Sequence, residues 1–187
     1  MARDPQLSPA AYFGAAMSIL RDQGFEALTI QAMCERLGVT KGSFYHHFGG
    51  MADFVDGLMD HWESRETTDP FDQAEASRSS LARSRAIVAA TLGLDHPAER
   101  AIRIWSGANP RVAETQRRVD QARELRVRRI WEEDGLDPVT ATTAARMGLA
   151  LVIGYQNRST GFNPSDLEAA LDELTDHFRR RIRATRA

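Results

Sequence analysis

Cysteine is almost missing from this sequence: Cys34 stands alone in 187 residues. One thiol excludes an internal disulfide and leaves no CxxC pair to hold zinc. Lysine is equally scarce, Lys41 being the only one among 24 basic side chains, and we read the arginine excess as compositional bias rather than function. No apolar run approaches the roughly 18 residues of a membrane span; the best candidate, Met147 to Tyr155, is half as long. No apolar stretch follows Arg3 and Asp4, so a secretory signal peptide is not expected. Charge of one sign is lacking too, since the formal net charge is −2 and the pI about 6.2. That balance excludes coating nucleic acid by bulk electrostatics, so any such role must come from a local patch. With 42% apolar and 27% charged residues, a cytoplasmic globular chain of one domain, or of a small module fused to a larger one, is expected.

Catalytic and metal signatures are also absent. There is no G-x-S-x-G, P-loop or G-x-G-x-x-G, and Gly49-Gly50 reads as a turn. His46 and His47 are adjacent and would point to different sides of a helix. His61, His96 and His177 are scattered without zinc-type spacing. Glu132, Glu133 and Asp134 read as a solvated helix end, and Arg179-Arg180-Arg181 as cations favoured by a helix C-terminus. No enzyme activity, metal or cofactor is expected.

What is present is helical. The seven prolines follow residues that can cap or begin a turn: Asp4, Ser8, Asp69, His96, Asn109, Asp137 and Asn163. A capping side chain accepts from an orphan amide, and proline next to it has no amide to leave unpaired. Apart from Pro5, near the terminus, the prolines predict helix starts, and Ser165 to Glu168 adds a capping-box spacing. Phe13, Ala16, Met17 and Leu20 recur at helical spacing up to Gly24. Ile30, Met33, Cys34 and Leu37 repeat the pattern up to Gly38. Further helices are predicted from about Met51 to Glu66, from Pro110 to near Gly135, from Pro138 to about Tyr155, and from Pro164 onward. No alternating strand or hairpin turn appears. The predicted fold is all-α, with about nine helices. The polar stretch Ser64 to Asp72 marks a boundary between an N-terminal three-helix module over 1–50, joined by a connecting helix over 51–66, and a larger C-terminal domain over 67–187.

Residues 24–48 are the informative part. Thr29 can cap a two-turn helix ending at Leu37; Gly38-Val39 makes a turn; Thr40 can cap a second short helix from Lys41 to about His47. Two short helices joined by such a turn form a helix-turn-helix, whose second helix fits the major groove. That second helix is poor in apolar anchors and contains Gly42 and Ser43. It suits a helix that brings its backbone and short polar side chains close to DNA.

The stretch Leu37-Gly38-Val39-Thr40-Lys41-Gly42-Ser43-Phe44-Tyr45-His46-His47-Phe48, with Gly24-Phe25 and Leu28-Thr29-Ile30 before it, resembles the DNA-binding signature of the TetR family of bacterial transcriptional repressors. The resemblance covers about 40 residues counting the preceding helix, and beyond residue 66 only the architecture is similar. It implies that Gln31 can reach a base edge, where an amide pairs bidentately with adenine. It implies that Thr40, Lys41 and Ser43 touch bases and phosphates, that Tyr45 and His47 touch phosphates, and that His46 touches bases or sugars. With Thr29 and Gly42 these form the expected DNA-facing set. Phe44 and Phe48 are expected in the core, and Cys34 at a small-residue position between the motif helices. Two features depart from the family pattern. Phe48-Gly49-Gly50-Met51 lacks the usual basic residue at the start of the next helix. Residues 1–50 balance Arg3, Arg21, Arg36 and Lys41 against Asp4, Asp22, Glu26 and Glu35. Few counterions would be released, so low nonspecific affinity and a shallow salt dependence are expected. Backbone amides opening the next helix could compensate by meeting a phosphate.

Further along, the helix from Pro138 is apolar on more than one face and rich in Ala and Gly. With the amphipathic last helix it resembles the pair that forms the family's four-helix dimer interface. A homodimer through about 138–156 and 164–183 is therefore expected. Its recognition helices would read a palindromic double-stranded DNA operator in successive major grooves. Trp62, Phe71, Trp105, Trp131 and Tyr155 are candidate linings of a pocket for an apolar or aromatic small-molecule effector, with Arg103 or Gln156 as the candidate polar contact. Two functional readings follow. One is a ligand-responsive repressor released from its operator by the effector; the other is an effector-binding dimeric module with weak or partner-dependent DNA binding.

Overall fold

The computed structural model describes residues 7–75, 79–158 and 161–186, with 66–75 and 186 described in their backbone alone. Among the described residues there are nine α-helices, one 3-10 turn and no strand. The helices are α1 (Pro9–Gln23), α2 (Ile30–Leu37), α3 (Lys41–His47), α4 (Met51–Glu75), α5 (Ser80–Leu92), α6 (His96–Ser106), α7 (Pro110–Asp134), α8 (Pro138–Gln156) and α9 (Pro164–Arg186). The all-α expectation holds.

Five of the seven prolines open helices as expected: Pro9, Pro97, Pro110, Pro138 and Pro164. Ser8 makes no side-chain cap of α1, and Asp95 rather than His96 caps α6, but the other caps do what their chemistry predicts. Asp95 accepts from the Ala98 amide at 3.3 Å, Asn109 from Arg111 at 2.9 Å, and Asp137 from Val139 and Thr140 at 3.1 and 3.0 Å. Asn163, rather than the expected capping box at Ser165, serves α9 by accepting the Ser165 amide at 3.0 Å. Pro5 lies outside the described residues. Pro70 corrects the sequence reading, because α4 runs through it to Glu75. The cost of a proline inside a helix is local, one missing donor and a crowded carbonyl.

The chain divides into two compact units. The first comprises Met1–Ser64 and Asp95–Gln116; the second comprises Arg65–Leu94 and Arg117–Ala187. The first unit thus takes in residues 95–116, which the sequence assigned to the second domain, because α6 packs along α1. Arg21 of α1 meets the α6 cap through Asp95, its Nε donating at 2.9 Å. That pairing holds the guanidinium pKa above its ordinary value.

In the first unit the buried face of α1 is Tyr12, Ala15, Ala16, Ile19 and Leu20, one residue out of phase with the predicted set. Phe13, half-buried, stacks on His61 with ring centroids 5.1 Å apart. Gly57 of α4 is the point of closest approach, since a Cβ there would lie 3.0 Å from the Phe13 ring. In the second unit one apolar cluster gathers Trp131, Leu136, Ala141, Ala144, Phe178 and Ile182. Another gathers Val88, Val152, Leu167 and Leu171. Two sequence readings are corrected there. Asp134 is buried rather than solvated, pairing with Arg83 and accepting from Ser80 Oγ at 2.6 Å. Arg179 turns inward, its Nη2 donating to Ser80 and Ser84 Oγ at 3.1 Å each. A buried carboxylate needs paired donors, and α5 supplies them.

Candidate nucleic-acid interface

The geometry of the first unit begins with how α2 starts and stops. Thr29 Oγ1 accepts the Ala32 amide at 3.1 Å and opens the helix as expected. Gly38 closes it in the left-handed region, at φ 68°, with its amide on Glu35 O and the Val39 amide on Cys34 O at 3.0 Å. This is a Schellman termination, which a residue with a Cβ fills only under strain. It turns the chain so that α3 begins three residues later. The Cys34 thiol, buried, donates to Thr40 O at 3.6 Å and ties the two helices. Burial pushes this thiol's pKa up, opposed by the charge of Lys41.

Thr40 corrects a sequence reading: its side chain makes no cap. The Ser43 amide is already taken by Thr40 O at 3.1 Å, so the hydroxyl is not needed there. One edge of α3 is anchored. Phe44 has no exposed surface and lies against Tyr12, Phe48 and Phe54 with ring centroids 5.7, 5.1 and 5.6 Å apart. Tyr12 Oη donates to Ser43 Oγ at 2.8 Å, fixing the hydroxyl of α3 from beneath. Sequence reasoning missed Tyr12, whose only advance signal was its place one residue before an assigned apolar position.

The other edge of α3 faces solvent. Lys41, Gly42 and His46 are exposed, Tyr45 keeps 57% of its surface, and Ser43 and His47 are intermediate. His47 leans on the Tyr12 ring with centroids 5.8 Å apart. Thr29, Gln31 and Thr40 are also exposed. Gln31 Nε2 donates to Glu35 Oε1 at 2.8 Å, so its amide must leave that partner before it can meet a base. The expected DNA-facing set thus lies on α2, α3 and their flanking caps, with Tyr12 and Phe44 as its footing.

Electrostatics are thin. Arg21 pairs with Asp95, and Arg36 with Asp22 at 2.9 Å. Within residues 7–50, Lys41 is the one basic side chain without a carboxylate partner among the described residues. Just ahead of α4, the Gly49 amide donates to Asp53 Oδ2 at 2.8 Å, which adds a carboxylate to this helix start.

The model of bacterial regulatory proteins of the tetR family matches residues 13–58. The amino-terminal module belongs to the TetR family. The TetR match covers α1 to the first part of α4, about a quarter of the chain. Among curated proteins none matches. Solved structures extend the likeness to nearly the whole chain. A transcriptional regulator from Rhodococcus sp. Rha1 is 19% identical with a TM-score of 0.76, covering 93% of this chain and 97% of its own. A TetR-family transcriptional regulator from Streptomyces coelicolor is 18% identical with a TM-score of 0.75, covering 92% and 94%. A protein of Saccharomonospora viridis, described as a transcriptional regulator and solved in complex with choline, is 16% identical with a TM-score of 0.72, covering 90% and 95%. At such identities the likeness is one of fold.

The second unit holds a cavity of about 90 Å³ among α5, α7, α8 and α9. Of the residues expected around an effector, Trp131 lines it. Tyr155 packs instead beside the cluster of Val88, Val152, Leu167 and Leu171. Trp62, Arg103 and Trp105 belong to the first unit, where Trp105 stacks on Phe25 with centroids 6.3 Å apart. The Phe71 side chain lies outside the described residues. Among the described residues no three His, Cys, Asp or Glu side chains come together to hold a metal ion. No helix among them is long and apolar enough to cross a membrane.

Proposed function

We propose that this protein is a cytoplasmic, sequence-specific DNA-binding transcriptional regulator, a homodimeric repressor that leaves a palindromic operator when a small molecule occupies its second unit. The observation that carries the reading is the two-sided build of α3: Phe44 is wholly buried while Lys41, Gly42, Tyr45 and His46 stand exposed on the opposite edge. A helix anchored on one side and polar on the other can enter a major groove without unfolding its own core. Phosphate contacts from Tyr45, Lys41 and His47 would set register, and Gln31 and Ser43 would read base edges.

The dimer reading is supported by α8, which leaves Val139 and Met147 exposed at 77% and 45%. With α9 beside it, this face would meet its copy about a two-fold axis. The effector would bind in the cavity and shift the population between two recognition-helix spacings by its differential affinity. The choline-bound relative supports a small-molecule effector in general. Choline itself does not carry over, because a quaternary ammonium is held by several aromatic faces and Trp131 is the sole aromatic on this cavity wall.

The test is retardation of the promoter DNA beside the protein's own gene. Specific retardation that is lost in Tyr45→Ala and Lys41→Ala supports the repressor. Equal retardation of promoter and scrambled DNA refutes it. The second reading, an effector-binding dimer whose DNA contact is weak or supplied by a partner, is favoured by the Asp53 carboxylate on the Gly49 amide. It predicts no specific retardation by the protein alone while ligand binding persists.

A further inference from the structure

The wall of the second unit's cavity is specific enough to indicate the class of molecule it takes. Its apolar surface comes from Val88 of α5, Val127 and Trp131 of α7, Val152 of α8, and Leu171 and Leu174 of α9. Room is left because α8 places Ala144, Ala145 and Gly148 on this side; a Cβ added at Gly148 would sit 3.8 Å from Leu174, in ordinary contact. These small residues, read from sequence as aids to close helix approach, here leave space. The polar groups on the wall are few and mostly occupied. Ser84 Oγ donates to Ser80 O at 3.2 Å and accepts from Arg179 at 3.1 Å. Glu124 accepts from Arg146 Nε at 2.8 Å, and Arg123 has its own interactions within the protein. The hydroxyls of Thr91 and Thr175 complete the polar part of the wall.

We infer that the cavity takes a compact, uncharged, mainly apolar molecule, a single ring or short alkyl chain bearing at most one hydroxyl or carbonyl group. The inference rests on the reading of the second unit as the effector-binding one. A charged ligand would need a counter-charge from the wall, where Glu124 already meets Arg146 at the solvent-facing side and Arg123 has its own interactions. An ion entering this largely apolar wall would give up its hydration with few polar groups to replace it. Size points the same way. About 90 Å³ is less than the roughly 150 Å³ apolar cavity that takes up benzene, so a single ring fits with slight widening and a fused ring system does not.

The test uses the full chain with toluene, p-cresol and n-hexanol as neutral probes, and benzoate and tetramethylammonium as charged ones, read by titration calorimetry and thermal midpoint. At least one neutral probe is expected to bind about tenfold or more tighter than either charged probe. It should raise the midpoint by about 3–6 °C at ten times its Kd. Gly148→Leu fills the cavity and should weaken that binding at least about tenfold; Ala145→Val serves the same purpose should the larger change not fold. Charged probes binding as tightly as neutral ones, no binding of any neutral probe, or unchanged binding in a folded filled variant would each overturn the inference. Calorimetry needs no DNA, so its failure is separate from failure of promoter retardation.

Discussion

Phe44 and Tyr45 are chain neighbours, and the structure gives them opposite duties. Phe44 is wholly buried with four aromatic rings around it, so Phe44→Ala removes a full aromatic burial and four edge or tilted contacts. Truncating a buried Phe costs about 3–5 kcal/mol, and ring pairs add about 0.5–1.5 kcal/mol each beyond area. The expected loss is at the top of that range, about 4–5 kcal/mol, a large share of a domain's stability. Tyr45 keeps 57% of its surface, and its ring meets the Phe44 ring edge-on with centroids 5.5 Å apart. Tyr45→Ala should cost less than about 1 kcal/mol of stability. It should, however, weaken operator binding about tenfold through one lost phosphate hydrogen bond. Trp62 and Trp105 both lie in the first unit, so urea unfolding followed by tryptophan fluorescence in a Trp131→Phe background reports that unit alone. Fluorescence anisotropy with labelled promoter DNA reads affinity. A Phe44→Ala loss under about 1 kcal/mol, or a Tyr45→Ala loss over about 2 kcal/mol with unchanged affinity, would refute the two-sided account of α3.

Other perturbations separate buried from exposed chemistry. Asp134→Ala leaves Arg83 without its carboxylate in a buried site and should cost about 3–5 kcal/mol in denaturant unfolding. The exposed Arg128–Glu132 pair, by contrast, should be worth no more than about 0.5 kcal/mol by double-mutant cycle. Gly38→Ala forces a Cβ into the left-handed region and should cost about 1–2 kcal/mol, with operator affinity falling alongside because α3 is misplaced. Asp137 has a lowered pKa because the Thr140 hydroxyl and the Thr140 and Val139 amides bond its carboxylate. Its contribution is therefore complete above the ordinary carboxylate value and lost as pH falls through the lowered one. Thermal midpoints of Asp137→Asn across that acid range should lack this part of the pH dependence.

Much of the backbone was legible because its signals are local. A capping residue followed by proline satisfies orphan amides whatever lies around it, and it marked the starts of α7, α8 and α9; proline alone marked α1, where Ser8 makes no side-chain cap, and α6, which Asp95 rather than His96 caps. The turn at Gly38 was equally readable from one residue. Pro70 was misread because a proline can be absorbed within a long helix. The phase of α1 slipped by one because Tyr12 and Phe13 compete for the same face, and only tertiary packing decides that Tyr12 goes under α3. Phe44 and Phe48 were placed in the core correctly, their positions being fixed by the short period of α3. The cavity was the least legible feature. Large aromatics suggested its lining, yet Trp62 and Trp105 are consumed by packing in the first unit, while small residues of α8 create the space. Absence of bulk leaves little trace in a sequence until the helices facing it are known.

The central claim is that the exposed edge of α3 enters a major groove. Methylation protection of guanine N7 on the promoter reads that groove directly. Two protected patches centred about 10–10.5 base pairs apart, or a multiple of that spacing, are predicted for wild type. Both should fade in Tyr45→Ala at a protein concentration near the wild-type Kd. A retarded complex with every guanine N7 still reactive would contradict the account.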